Sequence, residues 1–284
     1  MNTSMPHTSP SLDTSIIAFL GGGAMAGAMI QGLARAGVQP ERLRAADPVE
    51  GQRRTLAERH GIPVFSSNAE AVQGAQVVVL AVKPGVVVGV LDAIAPLLAP
   101  DTLVLSIAAG ITLPTLADHL PAGQPLARVM PNTPALVGAG ISALLPAPTT
   151  PAAHRLLARQ IMESVGLVEE IDNEALMDGV TALSGSGPAY VYLIAEALSD
   201  GGVASGLPRP LADRLAVRTL LGAAKLMEET GLHPGVLKNQ VTSPGGTTIA
   251  GLEPLEKNGV RGALMAAVLA ACQRSRELGA PRKS

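Results

Sequence analysis

Two stretches of this 284-residue chain hold residue types that bind anions through main-chain N–H groups. In the first, Gly21, Gly22 and Gly23 end the apolar run Ile16–Leu20 and lead at once into Ala24, Met25 and Ala26. Gly21, Gly23 and Ala26 take the small positions of the G-x-G-x-x-G/A pattern. Small residues are needed there because a phosphate pair must approach backbone at a helix N-terminus, where a Cβ would hold it off. The chemistry implied is dinucleotide binding; a merely structural glycine turn is the plainer alternative. In the second stretch, Val241–Ile249 reads VTSPGGTTI. Adjacent Gly245 and Gly246 at a helix start, beside the hydroxyls of Ser243, Thr247 and Thr248, form an anion nest flanked by proton donors. The same hydroxyls would serve equally as helix caps.

Strand–turn–helix units must position the first stretch. The apolar runs Ile16–Leu20, Val77–Val82 and Thr102–Ile107 read as strands, the last two covered on both faces, and Leu43–Ala46 and Ala127–Met130 as further short strands. Ligands of such doubly wound sheets lie beyond the strands' carboxyl ends, so Val82, Lys83, Pro84, Ala109, Asn132 and Thr133 are the natural rim of a nicotinamide half-site. Lys83 is otherwise a solvated strand-end charge, and Asn132 otherwise a residue whose bonds only hold its loop. Asp47, at the end of the second strand, is placed to bond ribose hydroxyls and repel a 2′-phosphate. Arg53 and Arg54 follow closely and would instead attract that phosphate. Asp47 is alternatively a helix cap before Pro48. Gly140–Leu145 and Leu167–Ile171 read as later strands, open to an antiparallel sense, flanking a helix around Ala152–Ser164.

From Asn173 the punctuation changes and helices follow one another: Asn173–Leu183, Pro188–Asp200, Arg209–Thr230, a short element from Pro234, then Thr247–Lys257 and Val260–Leu278. The organisation expected is a disordered extension over 1–14, an α/β dinucleotide-binding domain over 15–172 and an all-α domain over 173–284. Pro188–Leu198 is apolar around most of its circumference, which a domain of about a hundred residues cannot cover alone. A second copy of the chain is the expected cover.

Composition bounds the alternatives. A net charge of -2, with no basic block outside the Arg-Lys tail, argues against nucleic acid as a partner. Aromatic residues make up 1% and Trp is absent, leaving few stacking platforms. A single cysteine, Cys272, excludes an internal disulfide, and the five histidines show no ligand spacing, so no metal is expected. Met1–Asp13 lacks Lys and Arg and is read as an extension, not a signal peptide. No stretch has the character of a membrane span, and the cytoplasm is the expected location.

The segments GVTALSGSGPAYVYLIAEALSDGGV (Gly179–Val203) and HPGVLKNQVTSPGGTTIAGLEPLE (His233–Glu256) closely resemble the pyrroline-5-carboxylate reductase family of proline biosynthesis. So do FLGGGAMAGAMIQGL, AVKP at Ala81–Pro84, SIAAGI at Ser106–Ile111 and RVMPNTPALVGAG at Arg128–Gly140, so that the likeness runs from Ile17 to Leu278. The resemblance implies a Rossmann-like N-terminal domain, an all-α C-terminal dimerisation domain, and active sites where the two meet. The implied reaction is reduction of 1-pyrroline-5-carboxylate to L-proline, usually with NADPH, with NADH the alternative, by a homodimer or a higher oligomer of dimers. By position, the cofactor loop falls on Leu20–Met25, the nicotinamide side on Ala81, Val82, Lys83 and Pro84, the substrate loop on Ser243–Thr248, and the proton-donating threonine on Thr248. Ala46 and Asp47 depart from the small polar residue and Asn or Arg that many members carry.

A β-hydroxyacid dehydrogenase shares the two-domain plan, but Pro188–Asp200 lacks the Lys or His base its carbonyl chemistry uses. A reductase of another cyclic imine or 2-oxo acid, or a non-catalytic nicotinamide-binding regulator, are the remaining readings.

Overall fold

The computed structural model describes residues 11–279. Packing divides the chain into one unit that runs to Gly185 and takes in the C-terminal end from Cys272, and a second unit, Ser186–Ala271. The extension expected over residues 1–14 lies mostly outside the described residues. Within the part described, Ser15 donates to the Ser11 carbonyl from both its backbone N–H and its hydroxyl, closing a turn over Ser11–Thr14.

The first unit is built on an eight-stranded sheet. Its strands are β1 (Ile17–Leu20), β2 (Leu43–Ala46), β3 (Val64–Phe65), β4 (Val77–Leu80), β5 (Leu103–Ser106), β6 (Leu126–Met130), β7 (Gly140–Pro146) and β8 (Gly166–Glu170), in spatial order β3-β2-β1-β4-β5-β6-β7-β8. Every residue of β1, β4 and β5 is buried, as continuous apolar runs with both faces covered require. Because side chains alternate across a strand, Ile17, Phe19, Val77 and Val79 face one layer while Ala18, Leu20, Val78 and Leu80 face the other. The first layer holds helices α1 (Ala24–Arg35), α2 (Glu50–His60) and, further along the chain, the helix Ala152–Glu163. The second holds α3 (Asn68–Val72), α4 (Val87–Ile94) and α5 (Leu113–Asp118).

Pairing is parallel except between β6 and β7. β8 returns parallel to β7, because α6 (Ala152–Glu163) crosses over between them, so both strands run opposite to β1–β6, the antiparallel sense left open for them. The two-residue β3 at the sheet edge is too short to leave a sequence pattern. The runs Val77–Val82 and Thr102–Ile107 form shorter strands than their apolar length suggests: Ala81 and Ile107 each keep one backbone bond to the neighbouring strand, at 2.8 and 3.1 Å, and with Val82 they rim a cavity.

The segment expected as one helix over Asn173–Leu183 is a 3-10 turn at Glu174–Leu176, then α7 (Met177–Val180), then a widened π turn at Thr181–Gly185. The hydroxyls of Thr181 and Ser184 donate back to the carbonyls of Met177 and Val180, at 2.8 and 2.9 Å, a bond that competes with the helical ladder.

The second unit contains α8 (Gly187–Ala204), α9 (Arg209–Thr230), α10 (Pro234–Gln240), α11 (Thr247–Lys257) and most of α12 (Val260–Gly279). α8 and α9 meet at Gly202, where a Cβ would stand 3.1 Å from that of Ala212. Ser199, Ala212 and Ala216 are the only described residues of this unit that are buried. Leu193, Met265 and Leu269 are each more than half exposed, so the unit's apolar surface exceeds what its own helices cover. No helix among the described residues is long and apolar enough to cross a membrane.

Candidate active site

At the end of β1 the backbone of Gly21 takes φ +100°, and its N–H donates to the Ala46 carbonyl at 2.8 Å. A Cβ there would lie 2.5 Å from the carbonyl oxygen of Ala81, so glycine is required both by conformation and by space. Gly23 then caps α1 with extended backbone and no side-chain cap, and no described atom lies within 4 Å of where its Cβ would be. Gly23 and Ala24 are exposed, while Ala26 is fully buried against the sheet. The first turn of α1, which has no acidic residue of its own, therefore presents its N–H groups to open space. That cradle fits the pyrophosphate of a dinucleotide.

Asp47 faces inward on this turn. Its Oδ2 accepts the Gly22 N–H at 2.7 Å and its Oδ1 accepts the Val49 N–H at 2.8 Å. α2 begins at Glu50 with Val49 as its cap, so Asp47 closes the preceding turn and is not the helix cap. Arg53 donates to the carbonyls of Asp47 and Pro48, at 2.7 and 2.9 Å, and Arg54 lies exposed near Glu58. Of the charges that compete for a ribose or its phosphate, Asp47 and Arg53 are thus tied into the loop that would receive it, and Arg54 is not.

Beyond the carboxyl ends of β4, β5 and β6, a cavity of about 290 Å³ is lined by Met25, Ala81, Val82, Ala109 and Asn132, among others. Lys83 and Pro84 do not line it; Lys83 is exposed and precedes the 3-10 turn Pro84–Val86. The side chain of Asn132 accepts the Ile141 N–H at 3.0 Å and donates to the Ser184 carbonyl at 3.2 Å. Met130 and Gly185 also border this cavity. The sequence marks Met130 only as the end of a strand and gives no local sign that Gly185 belongs to this cavity.

In the second unit, Gly245 takes φ +67° and Gly246 caps α11 in extended conformation without a side-chain cap. A Cβ on Gly246 would fall 2.4 Å from the Ser243 hydroxyl, so glycine there keeps the turn closed. The Gly246 N–H donates to the Ser243 carbonyl at 3.1 Å. It is thereby drawn into the turn, and the N–H groups left facing outward at the helix start are those of Thr247, Thr248 and Ile249, which have no partner among the described residues. Ser243 and Thr247 are exposed and Thr248 is half-buried.

Residues 174–278 match the family described as pyrroline-5-carboxylate reductase dimerisation, and residues 16–110 match NADP oxidoreductase, coenzyme F420-dependent. The curated pyrroline-5-carboxylate reductase of Pisum sativum is 47% identical over 267 residues, which is 94% of this chain and 97% of that protein. The chain belongs to the pyrroline-5-carboxylate reductase family. Among solved pyrroline-5-carboxylate reductases, that of Coxiella burnetii superposes with TM-score 0.89 at 37% identity, covering 94% of this chain and 100% of that one. The pyrroline carboxylate reductase of Plasmodium falciparum, with NADP bound, gives TM-score 0.86 at 34% identity, covering 95% of this chain and 100% of that one. The Rossmann-like α/β unit and the helical C-terminal region are those of the pyrroline-5-carboxylate reductase fold.

Proposed function

We propose that this protein reduces 1-pyrroline-5-carboxylate to L-proline, the last step of proline biosynthesis, by hydride transfer from NADPH, with NADH as the weaker alternative. The observation that carries the reading is the uncapped start of α11, where Thr247, Thr248 and Ile249 N–H groups converge beside the Thr248 hydroxyl. A buried carboxylate demands such donors, and the helix dipole favours its charge. The imine is electrophilic already, so neither a metal nor a strong acid is needed; orientation supplies most of the catalysis.

The turn Gly21, Gly22, Gly23, Ala24 and Met25 holds the cofactor's phosphates, Asp47 stands at its ribose side, and Ala81, Val82, Ala109 and Asn132 surround the nicotinamide half-site. Lys83 and Pro84 border the approach. The dihydronicotinamide bound there supplies the hydride. Ser243, Gly245, Gly246 and Thr247 shape the loop that takes the substrate's carboxylate. Thr248 is the catalytic residue: its hydroxyl bonds the ring nitrogen and orients it, and the proton that completes the amine comes from this hydroxyl or from water behind it.

The exposed apolar faces of α8 and α12 support assembly as a homodimer, alone or as the unit of a larger oligomer, working in the cytoplasm. Purified protein should oxidise NADPH only when pyrroline-5-carboxylate is present, with proline formed in equal amount. No turnover with either cofactor would refute the reading, and turnover of other cyclic imines or 2-oxo acids at equal efficiency would reassign the substrate.

A further inference from the structure

Arg128, Met130 and Asn132 follow one another at alternate positions along β6 and its exit, and each meets the segment Glu174–Gly185. The buried guanidinium of Arg128 pairs with Glu174, whose second oxygen accepts the Leu113 N–H at 3.0 Å. A Cβ on Gly185 would lie 2.6 Å from Met130 Cε, so the methionine packs directly on the glycine's backbone. Asn132 donates to Ser184 and accepts from Ile141 at the start of β7. The segment is therefore fastened to β6 from the ion pair to the cavity rim, and its last residue, Gly185, is part of the cavity wall.

The final fastening demands one particular chemistry. A π turn releases a carbonyl from the regular ladder, and here the Ser184 carbonyl needs a donor while the Ile141 N–H needs an acceptor. A planar side-chain amide supplies both at once; a carboxylate offers only acceptors, and an apolar side chain neither.

We infer that Asn132 is a positioning residue, whose amide clips the Thr181–Gly185 turn to β7 and so holds Gly185 as the wall against which the dihydronicotinamide is aligned. Asn132 lines the nicotinamide half-site, but its amide bonds go to Ser184 and Ile141, so it fixes the geometry of hydride transfer through Gly185 and not through a bond of its own to the cofactor. The inference rests on the proposed reductase reaction.

Asn132→Asp keeps the shape and replaces the donor by a second acceptor. Its kcat for pyrroline-5-carboxylate reduction should fall about tenfold or more near neutral pH, the scale of one lost hydrogen bond facing a carbonyl. NADPH affinity, measured by fluorescence titration, should stay within about twofold of wild type. No titratable side chain among the described residues lines this cavity, so the deficit relative to wild type should narrow as pH falls and the new carboxyl regains a proton to donate. A parallel loss of NADPH affinity with kcat retained would overturn the inference, as would full activity. A cofactor-free measurement separates it from the function: in Asn132→Ala, hydrogen exchange should quicken at Ile141 and over residues 181–185. Unchanged exchange there would also overturn the clip, whereas a wild-type protein that reduces no pyrroline-5-carboxylate refutes only the assigned reaction.

Discussion

The Gly22 N–H reaches Asp47 Oδ2 at 2.7 Å, joining the glycine turn after β1 to the acid at the end of β2 before any cofactor arrives. In the proposed cofactor site Asp47 would therefore act in two ways, by its charge near the ribose and by the shape it imposes on the phosphate cradle. Asp47→Ser should raise the NADPH-to-NADH ratio of kcat/KM by several-fold, because a negative charge no longer faces a phosphate dianion. It should also lower stability by about 1–3 kcal/mol, since hydrogen bonds from Gly22 and Val49 to a carboxylate are lost. Steady-state constants with both cofactors and a denaturant titration read the two effects; an unchanged ratio would confine Asp47 to the turn.

Gly23 separates helix stability from cofactor binding. With open space around its Cβ position and an uncapped helix behind it, Gly23→Asp should leave the protein as stable as before, or a few tenths of a kcal/mol more so. The same carboxylate sits where the pyrophosphate must lie, so NADPH affinity should fall by about tenfold or more. Thermal melting with a cofactor titration checks both. Retained affinity would mean that the phosphates lie elsewhere.

Thr248 is tested by a variant that keeps β-branching and deletes the hydroxyl. Thr248→Val should lower kcat while NADPH affinity stays near wild type. A loss of about tenfold, roughly 1.4 kcal/mol, marks an orienting hydrogen bond with water as proton source; about a hundredfold marks general-acid participation. Full activity in the valine variant would remove Thr248 from the mechanism.

Leu193 and Leu269 are 66% and 68% exposed in the single chain. Were they simply surface residues, Leu193→Glu or Leu269→Glu would change stability by less than about 0.5 kcal/mol. Covered by a second copy, either charge should dissociate the assembly. Sedimentation at micromolar protein should show oligomer for wild type and monomer for the variants. A monomeric wild type would refute the assembly itself.

His60, at the end of α2, is held below its ordinary value of 6.5, first by burial and then by the neighbouring Arg59 charge. The unfolded chain therefore takes up the proton more readily, and this contribution to stability is complete above about pH 6.5 and is lost as pH falls through the folded-state value. His60→Gln should flatten the melting temperature against pH in that acid window while leaving it unchanged near pH 8. An unaltered profile would show that His60 is as solvated in the fold as in the open chain.

Local chemistry was legible directly. Apolar runs marked β1, β4 and β5 because a strand covered on both faces needs no polar alternation, and β2 and β6 were marked as short strands despite Arg44 and Arg128 within them. GGGAM and SPGGTT marked two helix starts, because backbone that approaches an anion must lack side chains. The surplus of apolar faces in α8 was visible from its composition alone. Which partner each polar group takes was not written locally. Asp47 bonds to Gly22 across two strands, and Asn132 to Ile141 and to a carbonyl 52 residues away. β8 runs parallel to β7 because a helix crosses between them. Only the folded chain decides such pairings, since a side chain that could bind a ligand or its own backbone is committed by the segments packed beside it, and those are remote in sequence.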